Sequence, residues 1–209
     1  MPAIRNFAFD LDGTLIDTER AVLLTWQDTL AGYGYARELD ELRGVLGVTN
    51  EAGVASARAQ VDEDFGPRWR DAYARHATGA GFFPGVREAL LSLRAAGRAV
   101  GAVSSRDRAE YHRFFSDFGL GELLDVVVLE EDTARHKPEA DPLLKYLELT
   151  GSAPEETVYV GDMPGDIACA NAAGVKSALV AWNGSHITCP AADFVLHSPE
   201  QLLHLADAR

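Results

Sequence analysis

The sequence predicts an α/β fold: a doubly wound, Rossmann-like parallel sheet with an all-helical segment inserted after the first strand. Three observations predict it. An apolar run, Phe7-Ala8-Phe9, leads directly into Asp10-Leu11-Asp12-Gly13-Thr14, the pattern of a buried strand that ends in a polar turn. Residues 17–82 then show helical spacing and no strand signal. From Phe83 onward helical and strand patterns alternate, as in parallel sheets built with right-handed crossovers.

Taken in order, Ile4 begins the first strand, and Leu15, Val22, Leu23, Trp26 and Leu30 recur with helical spacing until Gly32-Tyr33-Gly34 stops them. Further helices are expected over Glu38–Leu46, over the alanine-rich stretch Glu51–Phe65, and over Pro67–Ala77, where proline suits a first turn. Pro84-Gly85 opens a helix that buries Val86, Ala89, Leu90 and Leu93 and ends at Gly97. Ala99–Val103 is the next strand, followed by a helix to about Phe118 and a valine-rich strand over Asp125–Leu129. Asp141-Pro142 reads as an N-cap and first-turn proline of a helix to Leu149. Thr157–Val160 is a strand, and a helix to Ala173 is closed by Gly174. Ser177–Trp182 and Phe194–Leu196 are the last strands, before a helix from Pro199.

Composition bounds the function. With 209 residues, 47% of them hydrophobic, the chain can bury a substantial core. A formal charge of −13 disfavours nucleic acid or an anionic membrane as partner, but a metal and local cations can still seat a small anion. The least charged stretch, 167–192, contains Lys176 and Gly-Ser punctuation and is no membrane span. Two cysteines are too few for a disulfide framework, and the N-terminus lacks a signal-peptide pattern, so a cytoplasmic location is expected.

Asp10 and Asp12 are two residues apart. At strand geometry this places both side chains on one face, roughly 6–7 Å apart, where they can share a ligand. Calcium loops also begin Asp-x-Asp-Gly, but the remaining ligands of such a loop are missing here. Gly13 lets the chain bend and brings backbone amides close, and Thr14 adds a hydroxyl. In an open parallel sheet, ligands bind beyond the carboxyl ends of the strands. Those ends here carry Asp10 and Asp12, then Ser104-Ser105, then Asp162 with Asp166, while Lys137 precedes Pro138 in a loop. Singly, Ser104 reads as a helix cap, Lys137 as a solvated lysine and the aspartates as caps.

Four carboxylates in one crevice require cations, because like charges raise each other's pKa. A divalent cation and Lys137 supply three positive charges, so the balance closes with Asp12 protonated. Magnesium is the natural ion, since every candidate ligand is a hard oxygen.

The set of motifs, Asp10-x-Asp12-Gly13-Thr14, Ser104 at a strand end, Lys137-Pro138 and Gly161-Asp162-x-x-x-Asp166, resembles that of the haloacid dehalogenase superfamily. The helical segment after the first motif resembles the cap of its phosphoglycolate phosphatase-like and pyrophosphatase-like branch. The resemblance implies a core of residues 1–16 and 83–209 with a helical cap of residues 17–82. It implies a magnesium-dependent phosphatase acting on a small phosphorylated metabolite, a phosphoglycolate-like phosphomonoester or pyrophosphate, through an aspartyl-phosphate. Asp10 is then nucleophile and metal ligand. Asp12 is the acid and base, with its backbone carbonyl on the metal. Ser104, Ser105, Lys137, Gly13 and Thr14 surround the phosphate, and Asp162 binds the metal with Asp166 in support. Arg43, Thr49 and Asn50 are the cap residues placed to read the leaving group. Met163 and Ala140 depart from the family pattern, which commonly has serine or threonine and a second proline there. The alternatives are a phosphosugar mutase of the β-phosphoglucomutase type and a non-catalytic phosphate-binding regulatory domain. His136 could touch substrate or simply face solvent, and Trp182-Asn183 either lines the crevice or packs beneath the loop.

Overall fold

The computed structural model describes residues 3–207; positions 1–2 and 208–209 of the expected core lie outside them. Along the chain come β1 (Asn6–Phe9), α1 (Glu19–Gly32), α2 (Asn50–Ser56), α3 (Phe65–His76), α4 (Val86–Ala95), β2 (Ala99–Val103), α5 (Arg108–Phe114) and α6 (Leu120–Leu123). They are followed by β3 (Val126–Val128), α7 (Asp141–Thr150), β4 (Thr157–Gly161), α8 (Pro164–Ala172), β5 (Lys176–Val180), β6 (Phe194–Leu196) and α9 (Gln201–Asp207). The strands form one parallel sheet in the order β3-β2-β1-β4-β5-β6. β1 is central and fully buried, so Asp10 leaves the sheet between β2 and β4.

Strand alternation assigns the two faces. Phe7 and Phe9 pack with Val86, Leu90 and Leu202 on one side, while Ala8 packs with Leu143, Tyr146 and Cys169 on the other. A third apolar cluster lies away from the sheet and joins α1 to α3 through Trp26, Leu30, Phe65, Trp69 and Tyr73. Gly53 of α2 allows close approach there, since a Cβ at that position would sit 2.5 Å from the Trp26 ring. Among the described residues, no helix is long and apolar enough to cross a membrane.

The structure moves several expected boundaries. The first helix begins at Glu19, not Leu15, because Leu15 and Ile16 fold back onto the carbonyl of Leu11 and are themselves core. Ile16 also bridges to Phe82, so the two ends of the helical segment meet. The alanine-rich Glu51–Phe65 is not one helix. α2 stops at Ser56, Arg58 takes φ +50°, and the Tyr35 hydroxyl accepts the Gln60 N–H; tertiary contacts there override a weak helix preference. The Glu38–Leu46 segment is a 3₁₀ turn over Leu39–Val45, held by Glu38 N–H donating to Glu41. The helix expected to run to Phe118 breaks after Phe114. Asp141 lies inside α7 and pairs with Arg135 instead of capping.

Candidate active site

The carboxyl ends of β1, β2 and β4 and the loop before α7 converge on one buried cluster. Lys137 Nζ donates to Asp10 Oδ1 and Asp166 Oδ1, each at 2.7 Å, and lies 3.2 Å from the Tyr159 hydroxyl. Tyr159 is fixed in turn by donating to the Val103 carbonyl on β2. Asp166 enters from the first turn of α8, where its second oxygen accepts from Met163 N–H. It is therefore both a helix-end acceptor and an anchor for the lysine.

Carboxylate oxygens of Asp10, Asp162 and Asp166 can all lie within 4.8 Å of one another. That crowding shows in their protonation. Burial, only partly offset by Lys137, pushes Asp10 up to about 7. Burial followed by the charges of Asp10 and Asp166 pushes Asp162 well above its ordinary value. Burial opposes the charge on Lys137, yet Asp10 and Asp166 outweigh it and hold the ammonium above its usual range. An all-oxygen donor set, short of positive charge, suits a hard divalent cation.

Two glycines make the cluster possible. Gly13 has φ +76°, and a Cβ there would lie 2.4 Å from Asp162 Oδ2. At Gly161 a Cβ would lie 2.4 Å from Asp166 Cβ. Gly161→Ala is therefore expected to displace Asp166 and to destabilise the fold by about 1–3 kcal/mol, as overpacking does; chemical denaturation checks it, and an unchanged midpoint would refute it. The turn after β1 is also held from outside. Asn183 donates to the Gly13 carbonyl and Trp182 to the Thr14 carbonyl, so this pair clamps the loop.

Asp12 departs from expectation. It is not protonated: Arg106 grips it with Nε at 2.9 Å and Nη2 at 2.7 Å, and Thr18 donates to it at 2.6 Å. Burial works to raise its pKa, but Arg106 and these hydrogen bonds prevail and hold it below the ordinary carboxylate range. Arg106 is thus a second cation of the crevice beside Lys137, and the sequence analysis missed it. Its position directly after Ser104-Ser105 at a strand end was the available signal, but nothing local names its target.

Arg106 is buried and stacked against Trp69, Tyr73 and Phe115, with its carbon centre 4.9, 4.6 and 5.6 Å from the ring centroids. Glu110, one turn along α5, accepts from it at 3.3 Å. Two of those rings, Trp69 and Tyr73, belong to α3, so Arg106 ties the helical segment to the strand ends.

The other expected residues divide. Ser104 is buried at the site, where its Oγ accepts from Arg106 N–H. Ser105 donates to the Gly47 carbonyl across the cleft, and Thr14 donates to Asp162. Met163 packs on Gly47, which gives this departure from the expected serine or threonine a place in the cleft contact. Asn50 lines the cavity and donates to Glu110 at 2.8 Å. Thr49 is buried and caps α2, accepting from Ala52 N–H. Arg43 is exposed, pairs with Glu19 and Asp40, and borders a second groove instead. The cavity between helices and strand ends is about 50 Å³.

Residues 7–180 match the sequence profile described as haloacid dehalogenase-like hydrolase. The chain is 34% identical over 185 residues to a putative pyrophosphatase PpaX of Caldanaerobacter subterraneus, covering 84% of this chain and 80% of that protein. It is 28% identical over 211 residues to a phosphoglycolate phosphatase of Aquifex aeolicus, covering 98% and 97%. The crystal structure of a putative phosphoglycolate phosphatase from Lactobacillus plantarum superposes with a TM-score of 0.87 at 24% identity, covering 97% of this chain and 99% of that one, a likeness of fold.

Proposed function

The chain belongs to the haloacid dehalogenase-like hydrolase family, and from that premise we propose that it is a magnesium-dependent phosphatase of small phosphorylated metabolites, phosphomonoester or pyrophosphate. Residues 17–82 act as its cap over a core of residues 1–16 and 83–209. The observation that carries this reading is the contact of Lys137 with Asp10 and Asp166, with Asp162 alongside. Its two cysteines are free, which fits the cytoplasmic location we propose.

Asp10, Asp162 and the backbone carbonyl of Asp12 would hold the magnesium, with Asp166 in support. When bound, the ion neutralises crowded carboxylates and phosphoryl oxygens. Among the described residues Oδ2 of Asp10 accepts no hydrogen bond, Oδ1 being taken by Lys137. Oδ2 attacks phosphorus, the bond from phosphorus to the leaving oxygen breaks, and that oxygen takes a proton from Asp12, which is ionised in the free protein and must first take one up as substrate binds. Water then attacks the aspartyl-phosphate and gives its proton to Asp12, releasing phosphate and restoring Asp10. The arrangement with Asp12 ionised against Arg106 is the one this second half requires. Ser104, Ser105 and the amides near Gly13 and Thr14 steady the transferring group. A mutase would need a seat for a second phosphate, and the one cation among the described cavity-lining residues, Arg106, is already paired with Asp12 and Glu110.

Phosphate release from a panel of phosphomonoesters and pyrophosphate, with magnesium or EDTA, tests the proposal. Metal-dependent turnover supports it, and no turnover of any compound refutes it. Magnesium should also raise the melting temperature, and by more as pH rises through about 7. Asp10 and Asp162 carry raised pKa values without metal, so binding at lower pH must first displace protons. A pH-independent shift, read by thermal unfolding, would count against this assignment of ligands.

A further inference from the structure

Beyond the phosphate seat, much of the cavity wall is apolar. Val22, Trp26, Val45, Leu46 and Trp69 present apolar surface, and the volume of about 50 Å³ admits on the order of four waters. A leaving group must therefore be short.

The wall also holds no charge for a second anion. Arg106 is the one cation among its described lining residues. Two of its N–H groups bind Asp12 and a third binds Glu110. Arg43, the cation nearest in sequence to the cavity-lining Val45–Val48 stretch, is 59% exposed and turned to Glu19 and Asp40. Two carboxylates, Glu19 and Glu110, instead share the lining. An anionic leaving group entering here would be desolvated beside carboxylates with no partner, which is strongly unfavourable.

One lining residue is incomplete. Trp69 is buried to 2% exposure, and its indole N–H has no acceptor among the described residues. Buried donors are rarely left so, because an unmade hydrogen bond costs more than a made one contributes. A leaving group with an oxygen of its own supplies the acceptor.

Resting on the phosphatase reading, we infer that the substrate is a phosphomonoester of a small uncharged alcohol bearing a second oxygen, polyol- or ketol-like, and that Trp69 reads that oxygen. This choice separates the chain from the pyrophosphate and phosphoglycolate for which its relatives are named, since both of those leave as anions.

The test is kcat/KM of the full chain with magnesium for glycerol 3-phosphate, propyl phosphate, phosphoglycolate and pyrophosphate, in wild type and Trp69→Phe. Phenylalanine keeps a ring against Arg106 and removes the donor. Wild type is expected to favour glycerol 3-phosphate over both anionic-leaving compounds by about tenfold or more. The variant is expected to lose about tenfold on glycerol 3-phosphate, mainly in KM, and to lose less than about twofold on propyl phosphate, which has no oxygen for Trp69 to read. Equal or better turnover of phosphoglycolate or pyrophosphate by wild type overturns the inference while leaving a phosphatase; that ranking needs no variant to fold. Equal losses on both neutral esters overturn the role of Trp69. Absence of turnover on all four removes the phosphatase reading together with this one.

Discussion

An Asp10→Asn variant is expected to lose phosphate release by roughly 10⁴-fold or more, as removal of a covalent nucleophile does, while folding at least as stably as wild type without metal. The stability half of that expectation follows from the burial of Asp10. Asp10 is buried beside Asp162 and Asp166, and burial raises its pKa to about 7 in the fold against about 3.8 in the unfolded chain. A carboxyl group with a raised folded pKa contributes stability that is fully present below the unfolded value and is lost as pH rises through the folded value. The amide does not titrate. The difference in unfolding free energy, variant minus wild type, should therefore grow from about pH 4 through about pH 7. Denaturant titration at several pH values without magnesium measures it, and a difference that is flat or falls with pH would show that Asp10 is not held against its charge. A variant retaining even a tenth of wild-type turnover would remove Asp10 from the chemistry.

Lys137→Met should be the reverse case, costing both activity and stability. Its ammonium is 3% exposed and pairs with two carboxylates, themselves 4% and 2% exposed. Removing one partner from a buried ionic cluster leaves uncompensated charge and costs about 3–5 kcal/mol. Here the cost falls on Asp10 and Asp166 together. Turnover should drop by roughly 10²- to 10³-fold through loss of the ammonium that donates to the transferring phosphoryl group. Magnesium should recover part of the lost melting temperature, because it supplies positive charge at the same place. Thermal unfolding with and without the ion is the measurement. A variant as stable as wild type would mean that the lysine is not the counter-charge of the cluster.

The contrast between these two variants and Arg106 indicates how far local pattern reaches. Asp10, Asp12, Ser104, Asp162 and Asp166 were legible because each sits near a strand end or a helix start, and a parallel sheet brings its carboxyl ends to one edge whatever lies between; Lys137, in a loop, was legible through the lysine-proline pair and the motif set it belongs to. Strand periodicity also made Phe7-Ala8-Phe9 legible as a buried strand, whereas the central place of β1 came from the order of strands in the folded sheet. Composition likewise argued for a cation in a crevice so rich in carboxylate.

What the chain order could not reveal was which side chains from distant segments meet. Arg106 reaches Asp12 across 94 positions and is sandwiched by rings of α3; Tyr159, an ordinary strand residue by its spacing, turns out to brace Lys137. Thr49 and Arg43 show the opposite error, since residues polar enough to read a substrate are consumed by a helix end and by surface carboxylates. Local sequence alone thus determined the strands of a parallel sheet and the carboxylates at their ends, because those follow from backbone periodicity and short-range geometry, while the chemistry was implied by the resemblance of the motif set. Only the tertiary structure decided the ionisation of Asp12, the missing acceptor of Trp69 and the character of the leaving-group wall. Burial and charge pairing are properties of neighbours in space, and those neighbours come from segments that the sequence keeps far apart.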